Sequence, residues 1–306
     1  ERCAMRSPKG ILVRMIPADE GVIVARGEEA GAELDVRKFT EAVSFDATLA
    51  SYSSLTAQSA RTDDHRDMDA APPALSDEGA SEMSINTFPS GAEAGSCFHA
   101  IFEKMDFDLR HESASELIGS ALRMHGIAAE WAGVVFETVE KMITAAIPAG
   151  ETAVRLGDVP KDRRLHEMEF YLPVRALTVE GLAAVLDPWK GREDAWGIGA
   201  MLENLGFSPV RGYLRGFIDM VFEYRGKYYL LDWKSNNLGP GNYGREGIER
   251  AMSEHNYYLQ YILYTVALHR FCAARMSGYD YRKHFGGAIY LFIRGIGRGE
   301  DEHAGV

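Results

Sequence analysis

The sequence predicts an α/β fold, a central sheet flanked by helices. Three observations carry that prediction. Tyr213–Ser235, YLRGFIDMVFEYRGKYYLLDWKS, reads as two strands joined by a tight turn at Arg225-Gly226, because β-branched and aromatic residues fill both runs and a glycine punctuates them. Both faces of this hairpin are apolar, one with Leu214, Ile218, Met220, Phe222, Tyr229, Leu231 and Trp233, the other with Phe217, Val221 and Leu230, as expected of a central pair covered on both sides. Helical patterns precede and follow it: Phe98, Ile101, Phe102 and Met105 fall at i, i+3, i+4 and i+7, and Leu259, Ile262, Leu263 and Val266 make a second stripe.

The chain has 306 residues, 46% of them apolar, enough for one large domain or two ordinary ones with a sizeable core. No run approaches the ~18 consecutive apolar residues of a membrane span, and the first residues lack the order of a signal peptide, so a cytoplasmic protein with no membrane partner is expected. The chain opens on Glu1 rather than Met and its strand patterns begin almost at once, which is expected of a fragment of a longer polypeptide. Cys3, Cys97 and Cys272 have no metal-ligand spacing; they read as reduced structural thiols and argue against an iron–sulfur cluster. A net charge of −12 disfavours nucleic acid as a partner, yet the charge is uneven. From Met201 onward there are 13 Lys and Arg against 11 Asp and Glu, and before it 20 against 34, which permits a local phosphate groove on an acidic body.

In chain order, residues 1–56 show strand-like runs at Gly10–Ile16 and Gly21–Ala25 and a loosely alternating stretch, Val36–Ser54. Residues 57–83, rich in Asp, Ser, Ala and Pro, read as a flexible acidic linker in which His65 is solvated. Ser90-Gly-Ala-Glu93 has the form of a capping box opening the helix that carries His99. Two helical patterns, Ala114–Met124 and Ala128–Ile147, are structural. His166–Val174 is a strand whose Glu169 reads as solvated or salt-bridged, with a turn towards the acidic face as the other option. Thr178–Phe207 has no clear order, and Trp189 and Trp196 within it are assigned to packing. After the hairpin come a loop, Asn236–Tyr243, helices over Glu246–Met252 and Asn256–Arg275, and a buried strand, Gly286–Arg294. The run RGIGRG lacks a strand–turn–helix context and reads as a tail; no Walker-type phosphate loop occurs.

The chemistry concentrates in the hairpin. With a two-residue loop Tyr224 faces Lys227, and carried back along the strands Asp219 faces Asp232, with Lys234 on the same face. Opposed like charges destabilise a sheet, so the arrangement asks for a bound cation; a three-residue loop or a bulge would spoil it. Two carboxylates and a lysine are the parts for metal-assisted phosphodiester hydrolysis, the acids holding a hard cation such as Mg²⁺ and the lysine stabilising charge or positioning water. The competing reading is a buried Asp–Lys ion pair beside a solvated second aspartate. His99, taken alone, is more often a hydrogen-bonded core-edge residue than a ligand, and Gln260 and Tyr264, four apart on a Tyr-rich helix, are more often core than functional.

GFIDMVFEYRGKYYLLDWKS resembles motifs II and III of the PD-(D/E)xK nuclease superfamily. The segments SYSSL, GSCFHAIFEKMDF, EMEFYLPV, LRGFIDMVFEYRGKYYLLDWKSNNLG, LQYILYTVALHRF and GYDYRKHFGGAIYLFIRG together, over roughly residues 50–298 and in family order, resemble the RecB-like nuclease domains within it. The resemblance implies a restriction-endonuclease-like core of the order αβββαβ around a mixed central sheet. It implies that residues 1–56 end a preceding helicase region and that 84–306 are the nuclease domain. It implies a divalent metal, Mg²⁺ or Mn²⁺, ligated by His99, Asp219, Asp232 and the backbone carbonyl of Trp233, with Lys234 catalytic and Gln260 and Tyr264 in the QxxxY motif that faces DNA. The superfamily's proline before the first acid is replaced by Ile218, a relaxed form usual among RecB-like members, and by the resemblance the family's last segment is expected to lie beyond Val306.

The expected function is a Mg²⁺-dependent exonuclease and endonuclease acting on DNA in double-strand-break processing and recombination, with RecC- and RecD-like subunits as partners. The alternative is a catalytically weak nuclease-fold module that docks a partner such as RecA. A stand-alone restriction-type endonuclease ranks below both, because no sequence-reading element is recognisable.

Overall fold

In the computed structural model, residues 47–56, 83–107, 111–150, 152–190, 198–296 and 305 are described. The chain divides into two units, Glu1–Ser44 and Phe45–Val306, and every described residue lies in the second. The runs at Gly10–Ile16 and Gly21–Ala25, nearly all of the 57–83 linker with His65, and Trp196 lie outside the described residues.

Arg225 and Gly226 both take left-handed φ, 52° and 78°, as a two-residue turn matched to strand twist requires. The turn joins β5 (Val210–Tyr224) to β6 (Lys227–Lys234), and the expected register holds from Tyr224↔Lys227 to Met220↔Leu231. The ladder ends there, one pair short of Asp219 and Asp232. On its other edge β5 pairs antiparallel with β4 (Arg164–Leu177) along nearly its whole length. β7 (Phe285–Phe292) adds parallel to β6, and β1 (Thr48–Ser51) adds parallel to β5 at Gly212–Arg215. Gly212 has φ 119°, and any Cβ there would collide with the Thr48 carbonyl. β5 therefore carries β6 on one half of an edge and β1 on the other half, with Gly216–Asp219 unpaired between them. This is the mixed central sheet expected, and Thr48–Ser51, which precedes the linker, belongs to it; Tyr52–Thr56 forms α1 directly after β1.

Helices cover both faces. α2 (Ala92–Lys104), α3 (His111–Met124) and α4 (Ala132–Thr144) bury Phe98, Ile101, Phe102, Ile118, Leu122, Val135 and Val139 against Met220, Phe222, Leu231 and Trp233. A small hairpin, β2 (Ile147–Ala149) and β3 (Thr152–Val154), closes that layer. On the other side α5 (Val179–Leu186), α6 (Ile198–Asn204) and α8 (Tyr257–Arg275) pack on Met168, Phe170, Leu172, Leu214, Ile218 and Leu230. α7 (Arg245–Glu254) and Tyr257 form a third cluster with Tyr290 and Phe292, and α9 (Tyr281–His284) leads into β7. The order α2, β4, β5, β6, α8, β7 reproduces the αβββαβ core. No helix among the described residues is long and apolar enough to cross a membrane.

Several local expectations are corrected. No capping box forms: Gly91 at φ 103° is the N-cap of α2, without a side-chain cap bond, and Glu93 pairs with His125 Nδ1 at 2.9 Å instead. The second structural helix ends at Thr144, and Ile147 starts β2. Leu214 and Ile218 do not share a core with Met220 and Phe222, because β5 loses its β6 neighbour at Asp219 and the facing β4 residue, Glu167, sits at φ 50°; the inward face switches there from one layer to the other. Among its described residues Thr178–Phe207 forms α5 and α6, and Trp189 is 45% exposed. Arg294 is no part of a tail. It is fully buried and donates to the carbonyls of Ser235, Ile85, Phe88 and Pro89, tying the segment before α2 to the end of β6.

Candidate metal centre

Where β5 and β6 part, the Asp219 carboxylate fills the space between them. Its Oδ2 accepts the Trp233 backbone N–H at 2.8 Å, and its Oδ1 lies 3.4 Å from Nδ1 of His99, which α2 brings over the sheet. The Trp233 ring stacks on Phe102, 4.0 Å between centroids, one turn after His99, and so fastens this helix to this strand. Across β4, His166 pairs with Met220 and Met168 with Ile218, which leaves Glu167 opposite Asp219. Ligand atoms of His99, Glu167 and Asp219 all lie within 4.8 Å of one another.

Burial alone would raise the Asp219 carboxyl. The charges of His99 and Lys234 and the bonds from His99 and Trp233 outweigh it and hold the group below the usual carboxylate range. Its neighbour His166 shifts the other way, down to about 4, because burial and Arg164 disfavour its charge more than Asp219 favours it. Two carboxylates and one imidazole at this spacing fit a divalent cation, the oxygens suiting Mg²⁺ and the nitrogen Mn²⁺.

A second set of polar groups adjoins the first. Lys234 Nζ, fully buried, is 2.6 Å from Asp232 Oδ1, donates to Gln260 Oε1 at 2.9 Å and sits 3.9 Å from the Tyr257 ring centre. Gln260 Nε2 in turn donates to the Tyr264 hydroxyl at 3.3 Å, and burial together with the Asp232 charge pushes that phenol well above its ordinary range. His99, Glu167, Asp219, Asp232, Gln260 and Tyr264 line one cavity of about 500 Å³.

The structure thus brings His99, Asp219, Asp232, Gln260 and Tyr264 to one cavity, with Lys234 directly behind Asp232 and Trp233 bound to Asp219 through its N–H. Asp232 is not one of the three clustered ligands; its Oδ1 is held by Lys234. Sequence reasoning missed Glu167. Glu169, the acid it weighed, is salt-bridged to Arg215 at 2.7 Å. The signal for Glu167 is the β4–β5 register, which puts it against Asp219, and that pairing is not visible in the linear sequence.

No protein-family model matches the chain. Over 220 residues it is 39% identical to the RecBCD enzyme subunit RecB of Escherichia coli, covering 70% of this chain and 18% of that protein. To the subunit of the same name from Mycolicibacterium smegmatis it is 31% identical over 309 residues, covering 88% of this chain and 28% of that protein. To that of Mycobacterium tuberculosis it is 33% identical over 241 residues, covering 69% and 21%. The chain spans less than a third of the length of these relatives.

Proposed function

The chain belongs to the RecB family, and from that premise we propose that it is a metal-dependent deoxyribonuclease domain that hydrolyses phosphodiester bonds as both exonuclease and endonuclease. The observation that carries this reading is that the His99–Glu167–Asp219 cluster lines one cavity with Asp232, Gln260 and Tyr264, while the buried Lys234 joins Asp232 to Gln260 from behind. His99, Asp219 and Glu167 would hold Mg²⁺ or Mn²⁺, with Asp232 and the Trp233 backbone carbonyl as further ligands. Such a cation, when bound, supplies positive charge against the negative charge that builds on the phosphate during displacement.

The protein's own groups do the rest. The Trp233 N–H and the His99 ring keep the Asp219 carboxylate ionised and aimed. Asp232 and Gln260, which line the cavity, hold the buried Lys234 ammonium directly behind them, from where its charge offsets negative charge that builds in the cavity. Gln260 and Tyr264 present their polar ends to the DNA backbone, and the buried phenol stays protonated as a donor.

The relatives are named as subunits of the RecBCD enzyme, which supports DNA and RecC- and RecD-like subunits as partners, and the processing of broken DNA in the cytoplasm as the setting. Cleavage of single-stranded DNA by wild type and by Asp232→Ala, with Mg²⁺, Mn²⁺ or Ca²⁺, tests the reading. Expected are cleavage by wild type with Mg²⁺ and with Mn²⁺, inhibition by Ca²⁺, whose looser geometry suits the site poorly, and at least a hundredfold loss in the variant. Full activity with Ca²⁺ alone contradicts the metal assignment. Equal inactivity of both proteins under every metal favours the docking module instead.

A further inference from the structure

The layer formed by α2, α3 and α4 covers the half of the sheet that holds Met220, Phe222, Leu231 and Trp233. The preceding half of β5 carries Arg211, Tyr213, Arg215 and Phe217 at alternate positions, and they project from the face opposite Leu214 and Ile218, which are buried against the α8 layer. Across the ladder Tyr171 stands opposite Arg215. Tyr213 and Tyr171 are 50% and 53% exposed.

This face is organised. Arg215 Nε and the Tyr171 hydroxyl both donate to Glu169 Oε1, at 2.7 and 2.9 Å, and the Arg215 guanidinium lies 5.0 Å from the Phe217 ring centre. It also runs without a break into the site, because Arg215 and Phe217 line the same cavity as Asp219. At ~3.3 Å per residue the row from Tyr213 to Phe217 is roughly 13 Å long. Exposed rings offer flat apolar surface to bases, and interleaved arginines offer charge to the phosphates between them. A duplex keeps its base faces inside its own stack, so only a separated strand can use such a surface.

We propose that this row is a stacking track for a single DNA strand, with Tyr171, Tyr213 and Phe217 receiving bases and Arg211 and Arg215 receiving phosphates, leading the strand to the cavity. Its destination rests on the nuclease reading; its binding does not.

The test is therefore made without metal, where no cleavage occurs. Binding of a single-stranded oligonucleotide carrying 2-aminopurine is followed by anisotropy and by base fluorescence, for the chain and for its Tyr171→Ala/Tyr213→Ala and Tyr171→Phe/Tyr213→Phe variants. The track predicts quenching on binding, at least tenfold weaker binding with loss of quenching in the alanine variant, recovery of both in the phenylalanine variant, and at least tenfold weaker binding of a blunt duplex. Unchanged affinity and quenching in the alanine variant overturn it, and so does a duplex that binds as tightly as the single strand. If the alanine variant binds DNA normally but loses assembly with a protein subunit, the face is a protein interface and the track is wrong. A chain that cleaves DNA while its alanine variant binds normally overturns the track alone. A chain that binds by the track but fails to cleave DNA with any divalent metal overturns the nuclease reading alone.

Discussion

Trp233 donates its backbone N–H to Asp219 Oδ2 at 2.8 Å, and this bond ends the hairpin. In the register set by the Arg225-Gly226 turn, that N–H would next have met the Ile218 carbonyl. The carboxylate takes its place, the strands separate, and room opens beside Asp219. The feature that ends the β5–β6 ladder is the one that shapes the site.

Asp232 and Lys234 are buried together at 2.6 Å, so removing one partner strands the other's charge. Lys234→Met is expected to destabilise the metal-free protein by about 3–5 kcal/mol, and Asp232→Leu/Lys234→Met to recover most of that loss while cleavage stays abolished. Urea titrations of the single and double variants measure both energies; a double variant as unstable as the sum of the singles would show that the pair is not coupled.

Glu167 holds φ 50°, a conformation that is costly for a residue with a Cβ. Glu167→Gly is expected to be about 1 kcal/mol more stable than Glu167→Ala, and both are expected to bind Mn²⁺ at least tenfold more weakly than wild type. Denaturation and metal titration of the two variants check this, and wild-type Mn²⁺ affinity in either would remove Glu167 from the site.

His166 is neutral in the fold down to about pH 4, whereas its ordinary value is 6.5. Between these values the unfolded chain binds the extra proton, so stability falls as the pH drops from 6.5 towards 4 and is fully present above 6.5. Asp219 acts in the same direction at still lower pH, its depressed carboxyl losing its contribution as it protonates. Stability curves of metal-free protein and of His166→Gln should diverge in slope between pH 4 and 6.5; parallel curves would mean that His166 is not buried as neutral.

The Phe102–Trp233 stack joins the helix of His99 to the strand of Asp232. Phe102→Ala is expected to cost about 3–5 kcal/mol, and Phe102→Leu less, with metal affinity falling in the same order. Thermal unfolding and Mn²⁺ titration read the two effects, and an alanine variant with undiminished affinity would separate the stack from the site.

The elements were legible wherever local chemistry decides them. Arg225-Gly226 announced its turn and hence the register as far as Met220, and the stripe Phe98, Ile101, Phe102 and Met105 announced the helix that carries His99. What stayed hidden depends on partners distant in sequence. Glu167 becomes a site residue only because β4 pairs with β5 in one register, and it holds a left-handed φ that no propensity favours for glutamate. Ile218 and Met220, two apart on one strand, look like one face until the break at Asp219 turns the strand. Arg294 looked like part of a glycine-rich tail because the four carbonyls that hold it lie on segments far from it in the chain. His99 itself is ambiguous from its helix, and its proposed role comes from resemblance rather than from spacing.

The central claim is that one divalent cation sits where His99, Glu167 and Asp219 converge, and diffraction from a Mn²⁺-soaked crystal at the manganese edge tests it most directly. The account predicts a single anomalous peak within coordination distance of His99 and Asp219, lost in Asp219→Ala; a peak elsewhere, or none in a crystal of protein that cleaves DNA with Mn²⁺, would contradict it.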